Sequence, residues 1–281
     1  MYGRARRVKR GMASRENEIG NSLQRRNRLI RILFLAGLFF AILPFESRAQ
    51  HMLAPVNPTA AEPVRSNPST IVIGFMGGMV KRDEPHRSEV RLAAKLRGDY
   101  SNLAYVDTFQ NARWKDARAK ILALLDTDHD GTLSAEEKEK ARIILFGHSW
   151  GASAAVTLAR DLRSLGIPVL LTVQVDSVQK MGQKDDLIPA NVAEAMNFFQ
   201  PDGMLHGRKL IRAENPEKTK ILGNYEFNYK HTSLSCKGYP WQQKVFAREH
   251  MYIECDPQVW SQIESLIRSK LPQAQTEARG N

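Results

Sequence analysis

The chain has 281 residues, 42% apolar and 25% charged, which is enough apolar material to bury the core of one sizeable globular domain. Its net charge of +11 is unevenly spread, with eleven Lys/Arg against three Glu in residues 1–49. Residues 50–281 therefore hold only +3, which gives no reason to invoke nucleic acid as a partner.

In chain order, the N-terminal segment comes first. Arg25, Arg26, Arg28 and Arg31 precede an apolar run over residues 32–45. Small residues follow at Ser47 and Ala49. A basic, then apolar, then small-x-small order predicts a secretory signal peptide over 1–49, or an uncleaved N-terminal anchor. The run is short for a membrane span, which needs roughly 20 residues. An exported protein, periplasmic or secreted, is expected, with membrane association through this segment only. Residues 50–68 carry Pro55, Pro58, Pro63 and Pro68 and read as a linker. The domain is expected over 69–272, with a tail over 273–281.

Within the domain, strand-like and helix-like stretches alternate. Residues 70–75 (TIVIGF) read as a strand ending at Gly77-Gly78. Residues 88–96 read as a helix, 103–109 as a strand and 114–125 as a helix with Ala117, Ile121, Leu124 and Leu125 on one face. Strand 142–146, helix 150–165 and strand 168–175 follow. The strands are apolar throughout, as in a parallel sheet covered on both faces. The expected fold class is α/β, a doubly wound, mostly parallel sheet with right-handed crossovers. Beyond Asp176 the pattern blurs. Residues 177–208 read as loop with a short apolar stretch at 193–199, and 209–213 and 219–229 as possible strands. Residues 257–271 read as a closing helix carrying Val259, Trp260, Ile263 and Ile267.

Residues 126–137 match a twelve-residue EF-hand-type loop embedded before the third strand. Asp126, Asp128 and Asp130 fill positions 1, 3 and 5, and Gly131 supplies the turn at 6. Thr132 offers its carbonyl at 7, Ser134 stands at 9, and Glu137 is the bidentate ligand at 12. The all-oxygen set suits calcium rather than zinc. A single loop predicts a structural calcium ion. The plain alternative is a solvated acidic turn.

Gly147-His148-Ser149-Trp150-Gly151 stands between a predicted strand and a predicted helix. A turn this sharp strains its apex residue, and flanking glycines remove the side chains that would clash there. Ser149 is therefore the candidate nucleophile. The N–H of Trp150, at the helix N-terminus, is one candidate oxyanion donor. The N–H of Met76, in the glycine-rich loop after the first strand, is the second. Asp176, at the end of the next strand, is the candidate acid, with Asp185 and Asp186 as rivals. Of seven histidines, His250 stands just before the closing helix and is the candidate base, with His231 next and His206 a weaker choice. His148 reads as a packing residue. Cys236 and Cys255 flank His250, and in an exported protein they could pair or remain as separate thiols.

On Ser149 and its pentapeptide, Phe75-Met76-Gly77-Gly78, Asp176 and His250, residues 70–270 resemble the α/β-hydrolase superfamily in its serine-esterase, lipase and thioesterase-like branch. The first strand departs from the family in lacking its common His-Gly pair, and the calcium loop is an unusual insertion. The resemblance implies cleavage of a carboxylic ester or thioester of a small-molecule or lipid acyl substrate through an acyl-serine. An acyltransferase on the same triad, or a non-catalytic calcium-binding envelope protein on a hydrolase scaffold, are the alternatives.

Overall fold

The computed structural model describes residues 70–272. The expected signal or anchor segment, the linker and the tail lie outside the described residues.

A first group of elements alternates as the apolar pattern predicts. They are β1 (Thr70–Met76), α1 (Ser88–Asp99), β2 (Ala104–Gln110), α2 (Trp114–Leu125), α3 (Ala135–Glu139), β3 (Ile143–His148), α4 (Trp150–Ser164) and β4 (Val169–Val175). The rest of the chain adds β5 (Leu187–Ile188), β6 (Val192–Phe199), β7 (Arg212–Ala213) and β8 (Lys220–Glu226). Three helices close it: α5 (Trp241–Phe246), α6 (Arg248–Cys255) and α7 (Pro257–Lys270).

Six strands form one sheet in the order β2-β1-β3-β4-β6-β8. All its neighbouring strands pair in parallel. Alternate residues of the strands face opposite layers, as a period of two requires. Ile71, Ile73, Ile143 and Leu145 pack with Ala117 and Ile121 of α2 and Leu158 and Leu162 of α4. Val72, Ile144 and Phe146 pack on the other side with Leu92 and Leu96 of α1 and Trp260 and Ile263 of α7. Helices thus cover both faces, and the expected doubly wound arrangement is what the chain adopts.

Two differences from the sequence reading matter for the site. The blurred region holds two full strands, of which β6 is eight residues long and pairs with both β4 and β8. His250 lies not in a loop before the closing helix but in the short helix α6. Cys236 and Cys255 are joined as a disulfide, which brackets that helix.

The chain turns outward from β1 to β2, then crosses back to place β3 on the other side of β1. In open parallel sheets, the crevice beyond the strand ends at such a switch point is the usual place for a ligand.

Candidate active site

Ser149 sits at this switch point, directly after β3. Its backbone is at φ 57° and ψ −125°, outside the regions an L-residue favours. The surroundings hold it there. Its N–H donates to the Val175 carbonyl at 2.9 Å, and its own carbonyl accepts from Ala152 and Ser153. The glycines are sterically required. A Cβ on Gly151 would lie 2.0 Å from the Phe75 carbonyl oxygen, and one on Gly147 would lie 2.6 Å from the Gly151 carbonyl carbon. Helix α4 therefore crosses β1 in near-contact, and Ser149 is carried clear of the sheet. Trp150 opens α4, so its N–H has no partner within the helix.

Asp176 ends β4 in a left-handed conformation, φ 42°, and is fully buried. Its carboxylate is surrounded by donors. The Gln200 amide side chain donates to it at 2.8 Å, the Gly207 N–H at 2.7 Å and the Gln200 N–H at 3.2 Å. The fourth partner is His250, whose Nδ1 lies 2.6 Å from Asp176 Oδ2. A carboxylate oxygen accepts, so Nδ1 is the donor in this pair, and in the neutral imidazole Nε2 then holds the lone pair. Residues 200 and 207 carried no readable signal. The contribution of Gly207 is a backbone amide, and a Cβ there would lie 2.2 Å from the Asp176 carbonyl carbon.

The rival residues are engaged elsewhere. Asp185 is buried and accepts from Ser177 and Arg208. Asp186 faces Arg212. His206 and His231 are exposed.

Ser149 and His250 line one cavity of about 720 Å³, together with Gly77, Gly78, His148 and Trp150. Among the described residues no hydrogen bond joins the Ser149 hydroxyl to His250. Met76 is fully buried as the last residue of β1 and is not on the cavity wall, so the strand ends one residue later than the oxyanion expectation required. Gly77 and Gly78 form the wall at that point, and a Cβ on Gly77 would lie 3.2 Å from Ser149 Cβ.

A second polar cluster sits against the same wall, and it had no signature in the sequence. His148 lies against His250 with the rings tilted by 38° and their centroids 4.4 Å apart, and its Nε2 donates to the His250 carbonyl at 3.1 Å. Its Nδ1 faces Glu254 at 3.4 Å. Arg87 donates to Glu254 at 2.7 Å, and its guanidinium lies 4.3 Å from the centre of the Tyr239 ring. Glu89 is fully buried beside them, and neither of its carboxyl oxygens has a hydrogen-bond partner. Burial, and then the charge of Glu254, hold the Glu89 carboxyl well above the usual carboxylate range. Burial, and then His250, push the His148 imidazole well below its ordinary value. These surroundings favour the neutral forms of Glu89 and His148, and Arg87 lies against Glu254.

In the 126–137 loop, carboxylate oxygens of Asp126, Asp128 and Asp130 lie within 4.8 Å of one another. His129 and Gly131 take left-handed conformations, φ 60° and 84°. Thr132 donates to Asp130 from both its N–H and its hydroxyl. Ser134 caps α3 in a reciprocal box with Glu137. The Glu137 carboxylate also accepts from Thr127, and these backbone donors, Thr127 first and then Ser134, bring it down to about 2. Asp126 Oδ1 is buried with no hydrogen-bond partner.

No protein-family model matches the chain, and no curated protein matches it. Among solved structures, it is similar to the RedJ thioesterase of the prodiginine biosynthetic pathway in Streptomyces coelicolor. The TM-score is 0.40 at 12% identity, over 78% of this chain and 97% of that one. A second RedJ structure, with a PEG molecule in its active site, gives 0.36 at 13% identity, over 72% and 97% of the two chains. A Xanthomonas campestris pv. campestris protein assigned to the α/β superfamily of hydrolases gives 0.30 at 13% identity, over 71% and 99%. Likeness of this size carries nothing about activity.

Proposed function

We propose that the protein is a serine hydrolase that cleaves a carboxylic ester or thioester through an acyl-serine. One observation carries this reading. A serine in a strained strand-to-helix turn shares a cavity with a histidine whose far nitrogen is fixed by a buried aspartate.

The chemistry follows from the placement. His250 Nε2, bearing the lone pair, takes the Ser149 proton as the hydroxyl attacks the acyl carbon. Asp176 keeps the ring in the required tautomer and stabilises the imidazolium without itself taking the proton. The Trp150 N–H meets the developing oxyanion, with a backbone N–H of the Gly77-Gly78 segment in the place first assigned to Met76. The imidazolium then protonates the departing alcohol or thiol. Water, deprotonated by the same nitrogen, releases the acid and restores Ser149. The missing Ser149–His250 hydrogen bond is compatible with this, since such bonds are often long until substrate is bound.

The test is labelling with a fluorophosphonate and turnover of short p-nitrophenyl esters. Ser149→Ala should abolish both. Turnover undiminished in that variant ends the reading, and absence of labelling in the parent protein favours a non-catalytic scaffold.

Structural calcium in the 126–137 loop belongs to the same proposal. The convergence of Asp126, Asp128 and Asp130 and the unpartnered Asp126 oxygen support it. Glu137 would complete the set as a bidentate ligand only by exchanging its bonds to Thr127 and Ser134 for the ion. The expected result is a higher melting temperature with calcium than with chelator, and a much smaller difference in Glu137→Gln. The Cys236–Cys255 bridge supports the expectation of export, because disulfides persist in oxidising compartments.

A further inference from the structure

The large hydrophobic side chains left exposed are not scattered over the molecule. Ten are exposed among the described residues, and eight of these stand on segments leaving the C-terminal ends of the sheet strands. Met79 follows β1, Trp150 follows β3 and Met181 follows β4. Met204 and Leu205 follow β6, and Trp241, Val245 and Phe246 project from α5 after β8. Of the other two, Leu210 precedes β7 in the connection from β6 to β8, and Tyr225 lies within β8. Three of the methionines are more than nine-tenths exposed, and Trp241, Val245 and Phe246 are each about two-thirds exposed. Single exposed hydrophobics need no explanation, but a set confined to one edge does.

That edge is the one where the cavity opens. Met79, Trp150 and Leu205 belong both to the exposed set and to the cavity wall, and Pro240 and Ala247 join α5 to it at either end. Acidic residues stand on this edge too, among them Asp83, Glu84 and Asp202, but the segment after β8 is basic, with Arg248 paired to Glu249. Residues 227–248 contain four Lys/Arg and no Asp or Glu. Lys230 and Lys237 are exposed there.

We propose that this edge seats on an anionic lipid surface, so that the cavity opens toward the lipid. Aromatic, aliphatic and methionine side chains with flanking cations are the composition that partitions into a headgroup region. A second copy of this chain fits less well, because a two-fold pairing of the edge would set the basic segment against itself. The proposal goes beyond the hydrolase reading and rests on it only where turnover is measured.

The test uses the full chain with vesicles of phosphatidylcholine alone or mixed with phosphatidylglycerol, with acyl chains brominated to quench tryptophan. The fluorescence of Trp241 is taken as the difference between the protein and its Trp241→Phe variant. Binding through the N-terminal segment alone leaves this signal unquenched. Quenching on the mixed vesicles, weaker on the neutral ones, is expected. In Trp241→Ser/Phe246→Ser, turnover of a vesicle-borne ester should fall roughly tenfold or more, with turnover of a soluble short ester retained. An unquenched Trp241 overturns the proposal, as does a dimer that this double variant dissolves in the absence of lipid. If neither ester is turned over, the hydrolase reading fails while the quenching still decides the docking.

Discussion

At Asp176, four donors converge on one buried carboxylate, and only one of them is the histidine it serves. Asp176→Asn keeps the shape but offers an N–H where an acceptor is needed, so the imidazole loses its tautomer. Turnover should fall on the order of 10³–10⁴-fold, with the melting temperature moving far less. Glu89 makes a different prediction. It faces Glu254, Arg87, His148 and Tyr239, and its carboxyl is held well above the usual range by burial and by Glu254. A group whose folded value is raised adds stability that is complete below its unfolded value, near 4.5. That stability is lost as pH rises toward the folded value. In Glu89→Gln the neutral form is permanent. The variant should match the parent at acid pH and melt progressively higher than it as pH is raised. Thermal melts in steps from about pH 4 upward check this, and parallel curves refute it.

Among the elements, the ones legible in the sequence are those buried on both faces or strongly periodic. β1, β3 and β4 are continuous apolar runs, and α4 and α7 carry clear buried stripes. The elbow was legible because its glycines and its strand–turn–helix setting are local. Residues 177–249 were not. β8 is an edge strand of mixed exposure, so alternation is weak, and its partner β6 is fixed by distant pairing rather than by local pattern. α6 has only eight residues, too few to read as a period. Had it been readable, Glu254 would have stood out one turn beyond His250 on the same face. Two predictions belong at this scale. Gly151→Ala forces a methyl group into the Phe75 carbonyl and should cost roughly 1–3 kcal/mol or more in unfolding experiments. Reduction of Cys236–Cys255 releases an 18-residue segment, which should lower stability by about 3 kcal/mol and slow fluorophosphonate labelling. An unchanged melt and labelling rate would exclude a supporting role for the bridge.

Across the whole molecule, the parallel sheet separates duties by edge. Ser149, Asp176 and His250 come from segments far apart in sequence, and they meet because every sheet strand points the same way. Two of the three are anchored within a residue of a central strand. The third is not. His250 arrives on a short helix outside the sheet, held by one hydrogen bond to Asp176, by His148 and by the covalent clasp that brackets it. That clasp depends on the redox state of its surroundings. A chain still bearing two thiols has Ser149 and Asp176 in place but His250 loosely tethered. Under the proposed function, chemical competence would then be acquired by oxidation after synthesis, and the protein would stay quiet toward esters in any reducing compartment.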